Sequence, residues 1–423
     1  MSQARRLEKN EPTLRAITTP DLVPVGSLPE LGVIPARMHA YVIRPERFGT
    51  PRTSFVPEAI EPWDVGPGEV LVAVMAAGVN YNGVWAGLGK PVDVLRGHGH
   101  PFHIAGSDVS GVVWAVGPGV SRWKVGDEIV GHCNRTCGEC EHCNGGEPMA
   151  CRQQKIWGYE TPDGSFAQFT RLQAQQVLPK PAHLTWEEAA SYGLTYFTAY
   201  RMLMDRARIR AGEDVLVWGG AGGLGVFAVQ ICAAAGARAI AVVSSEDKAE
   251  LAMSLGAHGT IDRRQFPGLE KKPDETAEDE KRRMDATKAF GKKIWEILGE
   301  KKGPDVVFEH VGRATFPASV FLANRFGRIV ICGATTGFDL TFDVRHLWMH
   351  QKSILGSHFA DAGEAHKANQ LVMQGKIKPV LTRTFGWDEI PEAHELMLAN
   401  KLHGNVACLV GAPRTGLTTL RRD

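Results

Sequence analysis

The strongest constraint on the fold is a glycine-rich turn between an apolar strand and an alanine-rich helix. Residues 214–235 read DVLVWGGAGGLGVFAVQICAAA, which contains the pattern G-x-G-x-x-G. In this setting the glycines permit a tight turn, a close approach of a pyrophosphate and close packing of helix on strand. The alternative is a glycine-rich turn that binds nothing. The residues predicted to bind a dinucleotide here are Gly220, Gly222, Gly223, Leu224 and Gly225.

The end of the second strand bears on the choice of dinucleotide. NAD-binding proteins usually place Asp or Glu there for the ribose 2′-hydroxyl. Here two serines end the strand and a lysine follows one turn later, which suits a 2′-phosphate, whereas Glu246 and Asp247 fall past the strand end. The sequence therefore favours NADPH. The further cofactor-binding candidates are Ser244, Ser245, Lys248 and, in the helix before the glycine-rich turn, Thr198.

The order of strands and helices along the 423 residues predicts an α/β protein of two domains. Short strands with Gly and Pro turns fill 38–188 and indicate a β-barrel. Strands alternating with helices fill 189–356 and indicate a doubly wound, Rossmann-type parallel sheet. The chain returns to the first domain over 357–423, and 1–37 form an arm. The charged stretch 264–300 is expected as a solvated helical insertion.

Composition argues against several functional classes. The formal net charge is +1, so nothing indicates a nucleic-acid partner. No stretch approaches the ~18 consecutive apolar residues of a membrane span. The polar N-terminus lacks the apolar segment of a signal peptide. We therefore expect a cytoplasmic protein with no membrane and no nucleic-acid partner.

Four cysteines at short spacings predict a metal site. Cys137, Cys140, Cys143 and Cys151 follow the pattern C-x2-C-x2-C-x7-C inside the loop 133–151. Four thiolates close a tetrahedral shell around Zn²⁺ and leave no position for water or substrate, so the role of the ion would be structural. Without a secretion signal, a metal is favoured over disulfides. The alternative is a loop with free thiols.

The order of these features resembles the medium-chain dehydrogenase/reductase superfamily, whose front domain is a GroES-like β-barrel. Alcohol dehydrogenases of that superfamily hold a catalytic zinc with a Cys and with the His of a G-H-E segment. The matching stretches here read Gly78-Val79-Asn80 and Gly106-Ser107-Asp108, with Asn80 and Ser107 in the ligand positions. The resemblance implies that the catalytic zinc is missing and that the acceptor is a C=C bond conjugated to a carbonyl. It also implies a homodimer or homotetramer.

Several strings, in order, resemble the crotonyl-CoA carboxylase/reductase family. Two features depart from that family: Val311 replaces a common Pro, and the family usually lacks the complete set of four cysteines. These two departures leave open that the protein belongs to a branch of the family that reduces its substrate without carboxylating it. The matching strings are NYNGVW at 80–85, IWGYET at 156–161, VFEH at 307–310, LWM at 347–349, GSHFA at 356–360 and APRTGL at 412–417.

The resemblance implies a reductive carboxylation. Hydride from NADPH would reach the β-carbon of an enoyl-CoA such as crotonyl-CoA, and the enolate would capture CO2 to form an alkylmalonyl-CoA. The resemblance assigns the holding of CO2 to Asn82, Tyr159, Glu160 and His358. Taken singly, each has an ordinary structural interpretation, such as a turn cap, a core aromatic or a hydrogen-bonded histidine.

Other functions stay open at this point. Arg345 suits the phosphates of coenzyme A, but a surface ion pair with Asp343 is the alternative. The whole protein is alternatively an enoyl-CoA reductase that does not carboxylate, or a quinone reductase on the same scaffold. A non-catalytic NADPH-binding protein is a third possibility, from another class.

Overall fold

The structure is a computed structural model that describes residues 21–420, so the first twenty residues of the expected arm lie outside it. The described residues form two compact units. The first comprises the residues up to Leu194 and from Asp361 onward, and the second runs from Thr195 to Ala360. Residues 21–37 are bound to the first unit: Trp114 Nε1 donates to Val33 O at 2.7 Å.

The strands are numbered in chain order. They are β1 Met38–Val42, β2 Val56–Ile60, β3 Glu69–Gly78, β4 Asp108–Val116, β5 Glu128–Gly131, β6 Asn134–Arg135, β7 Lys155–Ile156, β8 Phe169–Gln173, β9 Val177–Pro179, β10 Asp214–Val217, β11 Arg238–Val243, β12 Gly259–Asp262, β13 Val306–Glu309, β14 Arg328–Ile331, β15 Ser353–Gly356, β16 Leu381–Phe385 and β17 Asn405–Leu409.

The α-helices follow the same order. They are α1 Pro51–Ser54, α2 Tyr81–Leu88, α3 Val94–His98, α4 Glu141–Asn144, α5 Trp186–Ala189, α6 Gly193–Tyr200, α7 Gly225–Ala234, α8 Glu246–Ser254, α9 Ala277–Leu298, α10 Phe316–Leu322, α11 Arg345–Trp348, α12 Ala362–Met373 and α13 Ile390–Leu398. A π-helical segment, Arg201–Arg206, continues α6.

The first unit is built on a seven-stranded, mainly antiparallel sheet. Its order is β16-β17-β3-β4-β5-β9, and β8 pairs with β3. β3 reads EVLVAVMAAG, and every one of its residues is buried. A strand that is apolar at almost every position needs cover on both faces, which explains why the alternation expected of a surface strand is absent. The register pairs Gly78 at the end of β3 with Asp108 at the start of β4.

The second unit contains a six-stranded parallel sheet in the order β12-β11-β10-β13-β14-β15. Counted within this unit the strand order is 3-2-1-4-5-6, the dinucleotide-binding arrangement whose crevice opens where the order reverses. That reversal falls between β10 and β13. The α/β fold class predicted from the sequence, a barrel-type domain with a Rossmann-type domain, is confirmed.

The charged stretch 264–300 contains α9, which connects β12 to β13. Thr276 caps it by accepting from Asp279 N–H at 3.1 Å. One face of α9 is buried, and the ring of Phe290 stacks on Trp218 with centroids 5.5 Å apart. The stretch was expected as a solvated insertion because its charges dominate the composition. The helix instead places an apolar residue toward the sheet at almost every turn of its C-terminal half.

No helix among residues 21–420 is both long enough and apolar enough to cross a lipid bilayer.

Candidate functional site

The first cluster of functional interest forms where β3 ends and β4 begins. Asn80 Nδ2 donates to Asp108 Oδ2 at 2.9 Å, and Asp108 Oδ1 accepts from Leu194 N–H at 2.6 Å. Burial raises the pKa of Asp108 to about 7, and the hydrogen bonds from Asn80 and Leu194 act in the opposite direction. The amide of Asn80 and the hydroxyl of Ser107 stand where the resemblance expects the Cys and His ligands of a catalytic zinc, and neither group is a thiolate or an imidazole.

Asn82 lies on the first turn of α2 beside this cluster. Its Nδ2 donates to Ser107 Oγ at 2.7 Å, and both side chains are buried. Its Oδ1 is buried and has no hydrogen-bond partner in the described chain. The amide therefore keeps an open acceptor on Oδ1 and a second N–H on Nδ2, and both can bind a small polar molecule.

Tyr159 and Glu160 lie on a tight turn after β7. Gly158 has φ +73° there, and a side chain at this position would collide with Gly106 O. Glu160 Oε2 accepts from Ile156 N–H at 2.7 Å, so the carboxylate closes the turn that carries it. The Tyr159 ring is half-buried against the core of the first unit, and burial, together with Glu160, raises its pKa to about 12. Tyr159 is therefore neutral at physiological pH.

Three of the four residues assigned to CO2 thus lie in the first unit, and the turn with Tyr159 and Glu160 packs against the Gly106–Ser107 backbone beside Asn82. His358 belongs to the second unit. It follows β15, its side chain is exposed, and its ring centroid lies 4.6 Å from that of Phe359.

The glycine-rich turn lies between β10 and α7 in the second unit. Gly219, which precedes the predicted motif, has φ +61°, so it rather than Gly220 supplies the left-handed conformation of the turn. Gly220 lies against Ala241 of β11, and Gly225 lies against the backbone of Gly219. At Gly222 a Cβ would meet Gly219 O at 3.3 Å and no other atom within 4 Å, so the rest of its surroundings is open.

Side chains at the carboxyl end of β13 and directly after it lie next to the same turn. His310 Nε2 lies 3.0 Å from Trp218 O, which joins the carboxyl ends of β10 and β13 at the point where the strand order reverses. Glu309 is fully buried, and its carboxylate accepts from Val311 N–H at 2.7 Å and from Ser319 Oγ at 2.7 Å. These bonds connect the carboxyl end of β13 to the end of β10 and to α10, beside the glycine-rich turn.

The predicted 2′-phosphate residues are brought together at the end of β11. Lys248 Nζ donates to Ser244 Oγ at 3.3 Å, and Ser245 is the residue before α8. Both Glu246 and Asp247 are exposed in the first turn of that helix, where they interact favourably with the helix dipole. The Lys248 ammonium and the Ser244 hydroxyl therefore lie together. The presence of Glu246 and Asp247 is accounted for by their position in the first turn of α8.

Two other candidates, Thr198 and Arg345, belong to the second unit. Thr198 is buried on α6. Arg345 is exposed, and its Nη2 lies 2.7 Å from Asp343 Oδ2, an ion pair that raises the pKa of the guanidinium. The surface ion pair that was the alternative interpretation of Arg345 is thus present.

The four cysteines of the loop 133–151 converge. Their sulfur atoms all lie within 4.8 Å of one another. Cys137 Sγ is 3.6 Å from Cys151 Sγ and 3.8 Å from Cys143 Sγ. A tetrahedral ion with Zn–S bonds of about 2.3 Å separates its sulfurs by about 3.8 Å. Backbone N–H groups of Glu139 and Cys140 lower the pKa of Cys137 to about 7, whereas burial and the neighbouring thiols of Cys137 and Cys143 raise that of Cys140 to about 11. The donor set fits zinc.

Sequence reasoning missed two contributors to these sites. Ser107 was noted only as the replacement for a zinc ligand, although it holds the amide of Asn82. Gly219 lies one position before the motif, and the doublet Gly219-Gly220 was the signal that could have identified it.

Family comparisons agree with this architecture. The model for the alcohol dehydrogenase GroES-like domain matches residues 66–182, and the model for zinc-binding dehydrogenase matches residues 223–374. Together with the parallel sheet and the glycine-rich turn, these matches define a two-domain dehydrogenase/reductase of the medium-chain superfamily.

Individual relatives identify the family to which the chain belongs within this superfamily. Crotonyl-CoA carboxylase/reductase of Cereibacter sphaeroides is 53% identical over 402 residues, which cover 94% of each chain. The structure of the crotonyl-CoA carboxylase/reductase AntE in complex with NADP has a TM-score of 0.88 at 46% identity, covering 94% of this chain and 100% of that one. The 2-octenoyl-CoA carboxylase reductase CinF of a complex with NADP and 2-octenoyl-CoA has a TM-score of 0.86 at 37% identity, covering 92% and 91%. The chain belongs to the crotonyl-CoA carboxylase/reductase family.

Proposed function

We propose that this protein catalyses the NADPH-dependent reductive carboxylation of an enoyl-CoA, with crotonyl-CoA converted to ethylmalonyl-CoA as the reference reaction. The observation that carries the proposal is the buried Asn82 amide, held by Ser107 at the position where alcohol dehydrogenases of the superfamily have a zinc ligand. Family membership, at 53% identity to a crotonyl-CoA carboxylase/reductase, supports the same reaction.

The second unit would hold the cofactor through the turn 219–225. Its glycines leave the backbone open to a pyrophosphate at the amino end of α7. Ser244 and Lys248 would bind the 2′-phosphate, with Ser245 beside them and Thr198 toward the nicotinamide end. When bound, NADPH supplies the hydride that the β-carbon of the substrate accepts. The complexes of AntE and CinF with NADP support this choice of cofactor.

The first unit would handle the second half of the reaction. Hydride addition leaves an electron pair on the α-carbon of the thioester enolate, and that carbon forms the new C–C bond to CO2. The second N–H of Asn82 Nδ2 would donate to one CO2 oxygen, because the first N–H is already bound to Ser107. The neutral Tyr159 would shield the enolate from water, which would otherwise protonate it. Glu160 would keep the turn closed. For His358, which belongs to the second unit, we propose the role in holding CO2 that the resemblance assigns to it.

We further propose that the four cysteines hold a structural Zn²⁺, since their sulfur separations suit a tetrahedral ion. The same four thiols, with no disulfide among residues 21–420, fit a reducing compartment, and we propose the cytoplasm. Arg345 remains a proposal for the phosphates of coenzyme A, and binding there requires the guanidinium to be shared with or released from Asp343.

We propose that the protein is a homodimer or homotetramer that associates through β15. This strand ends the six-stranded sheet, and its only strand partner among the described residues is β14. Ile354 on β15 and Trp348 on α11 are exposed, and an open strand edge with apolar neighbours favours pairing with another copy of the chain. Sedimentation of the wild type and of Ile354→Lys tests this: the substitution should lower the oligomeric state.

The deciding experiment follows NADPH oxidation with crotonyl-CoA, with and without bicarbonate, and determines the mass of the product. The proposal expects ethylmalonyl-CoA in the presence of bicarbonate. It also expects Asn82→Ala to lose most of the carboxylated product, whereas Asn324→Ala, which also removes a hydrogen-bonded amide, should not. Release of only butyryl-CoA by the wild type would make the protein a plain enoyl-CoA reductase and would overturn the proposal.

A further inference from the structure

A pair of histidines lies next to the turn that carries Tyr159 and Glu160, and neither takes part in the reaction steps proposed above. His103 is fully buried. Its backbone is bonded in both directions to Ile43, with N···O distances of 2.8 and 2.9 Å. The ring of His98, at the end of α3, lies nearly parallel to that of His103, with centroids 5.5 Å apart and planes inclined by 16°.

The hydrogen bonds show which ring nitrogen of each histidine carries the proton. His98 Nδ1 accepts from His100 N–H at 3.1 Å, so the neutral ring carries its proton on Nε2. His98 Nε2 lies 3.3 Å from His103 Nδ1 and therefore donates to it. His103 then carries its own proton on Nε2. Burial lowers the pKa of His98 to about 4 and that of His103 to about 3, so both rings are neutral at physiological pH.

The donor end of the pair faces the turn. His103 Nε2 is buried and makes no hydrogen bond of regular geometry within the described chain. The backbone groups of Gly158 and Thr161 interact with this ring and oppose the lowering of its pKa, as carbonyl oxygens near an N–H group do. Gly158 and Thr161 are the two residues that flank Tyr159 and Glu160.

The turn that carries Tyr159 and Glu160 is tightly packed against the backbone of Gly106. Gly158 has its backbone against Gly106 O, and its N–H donates to Thr161 Oγ1 at 3.1 Å. On the far side of the turn, Pro162 O accepts from Ile104 N–H at 2.9 Å, so the residue after His103 also binds the turn. A group that catalyses or shields at this site must be held within about 0.5 Å of its productive place.

We propose that His103, oriented by His98, is a positioning residue that holds the Tyr159–Glu160 turn and thereby sets how much of the enolate is captured by CO2 instead of a proton. This inference rests on the proposed function. Loss of the ring nitrogens would leave hydride transfer in place, because the cofactor residues lie in the second unit, but it would loosen the shield over the enolate.

The test measures the ratio of ethylmalonyl-CoA to butyryl-CoA and the rate of NADPH oxidation in the full-length protein at saturating bicarbonate. His103→Phe keeps the ring shape and removes both nitrogens, whereas His103→Gln keeps a donor near the place of Nε2. We expect His103→Phe to lower the product ratio by about tenfold or more, with NADPH oxidation within about threefold of wild type. His103→Gln should recover most of the ratio.

The matched control is His366→Phe, the same change on a half-buried histidine of α12 in the same unit, whose Nε2 faces Arg122; its ratio should equal that of the wild type. Should His103→Phe fail to fold, His98→Phe removes the donor to His103 and is expected to lower the ratio in the same direction.

The outcomes separate this inference from the proposed function. A wild type that carboxylates, together with a His103→Phe variant of unchanged ratio, overturns the role of His103 alone. Equal losses of ratio, oxidation rate and melting temperature in His103→Phe and His103→Gln also overturn it, because that pattern marks a residue needed only for folding. A wild type that releases only butyryl-CoA overturns the proposed function and this inference together.

Discussion

Asn82 and Ser107 are 25 positions apart in the chain, yet their side chains are joined by a hydrogen bond of 2.7 Å from Nδ2 to Oγ inside the first unit. The bond exists because β3 and β4 pair antiparallel, which places the start of α2 beside the residue that precedes β4. It leaves Oδ1 of the amide as the open end of a buried group.

Removing the hydroxyl that holds this amide should affect CO2 capture more than reduction. Ser107→Ala leaves Asn82 free to rotate, so we expect the apparent KM for CO2 to rise about tenfold and the carboxylated fraction to fall, with NADPH oxidation within about threefold of wild type. Ser110→Ala is the control: its Oγ donates to Trp186 O at 2.6 Å, so its loss should lower stability and leave the product ratio unchanged. Equal product ratios in the two variants would contradict the role of Ser107.

The contact between Lys248 and Ser244 predicts the cofactor preference. Lys248→Ala removes the cation expected to face the 2′-phosphate, so kcat/KM for NADPH should fall about 10- to 100-fold while the low value for NADH stays nearly constant. Steady-state kinetics with both cofactors measures this. Lys292→Ala, on the exposed side of α9, should change neither value. An equal fall of kcat/KM for NADPH and for NADH would mean that Lys248 stabilises the domain and does not bind the 2′-phosphate.

The cysteine cluster predicts bound zinc and a stability that depends on it. Elemental analysis of the purified protein should find about one zinc per chain. Cys143→Ser should lose the ion and lower the melting temperature by several degrees, since the binding free energy of a structural metal contributes to folding. Cys332→Ser, a single thiol outside the cluster, should retain the zinc. Full zinc occupancy in Cys143→Ser would exclude the proposed set of four ligands.

The buried Asp108 predicts a pH dependence of stability. Burial raises its pKa from 3.8 to about 7, so between these values the folded chain keeps a proton that the unfolded chain releases. The contribution of Asp108 to stability therefore falls as the pH rises through this range and stays low above it. In Asp108→Asn this contribution is absent. The melting temperature of the variant minus that of the wild type should therefore increase as the pH is raised from about 5 to about 8.

Thermal unfolding of both proteins across this range checks the Asp108 prediction, and the difference between them cancels the titration of the other groups. A difference in melting temperature that stays constant with pH would show that Asp108 is ionised in the folded state throughout.

Features that depend on neighbours in sequence were predictable. The glycine-rich turn directly follows an apolar strand and opens a helix, so its residues and their role could be read from adjacent positions. The same holds for the four cysteines, whose short spacings force their sulfurs into one loop. The replacement of two zinc ligands by Asn80 and Ser107 was equally visible, because a ligand is defined by its residue type.

What the sequence by itself determined is therefore the fold class, the family and most of the residue types at the site. The tertiary structure alone decided which side chains meet: Ser107 with Asn82, His98 with His103, and Arg345 with Asp343. Side-chain partners depend on strand register and on packing between distant segments, and neither leaves a local pattern in the sequence. The buried face of α9 was also decided by the tertiary structure alone. The charged composition of this segment predicts exposure, and its few apolar residues share one face only once the helix has formed and packed on the sheet.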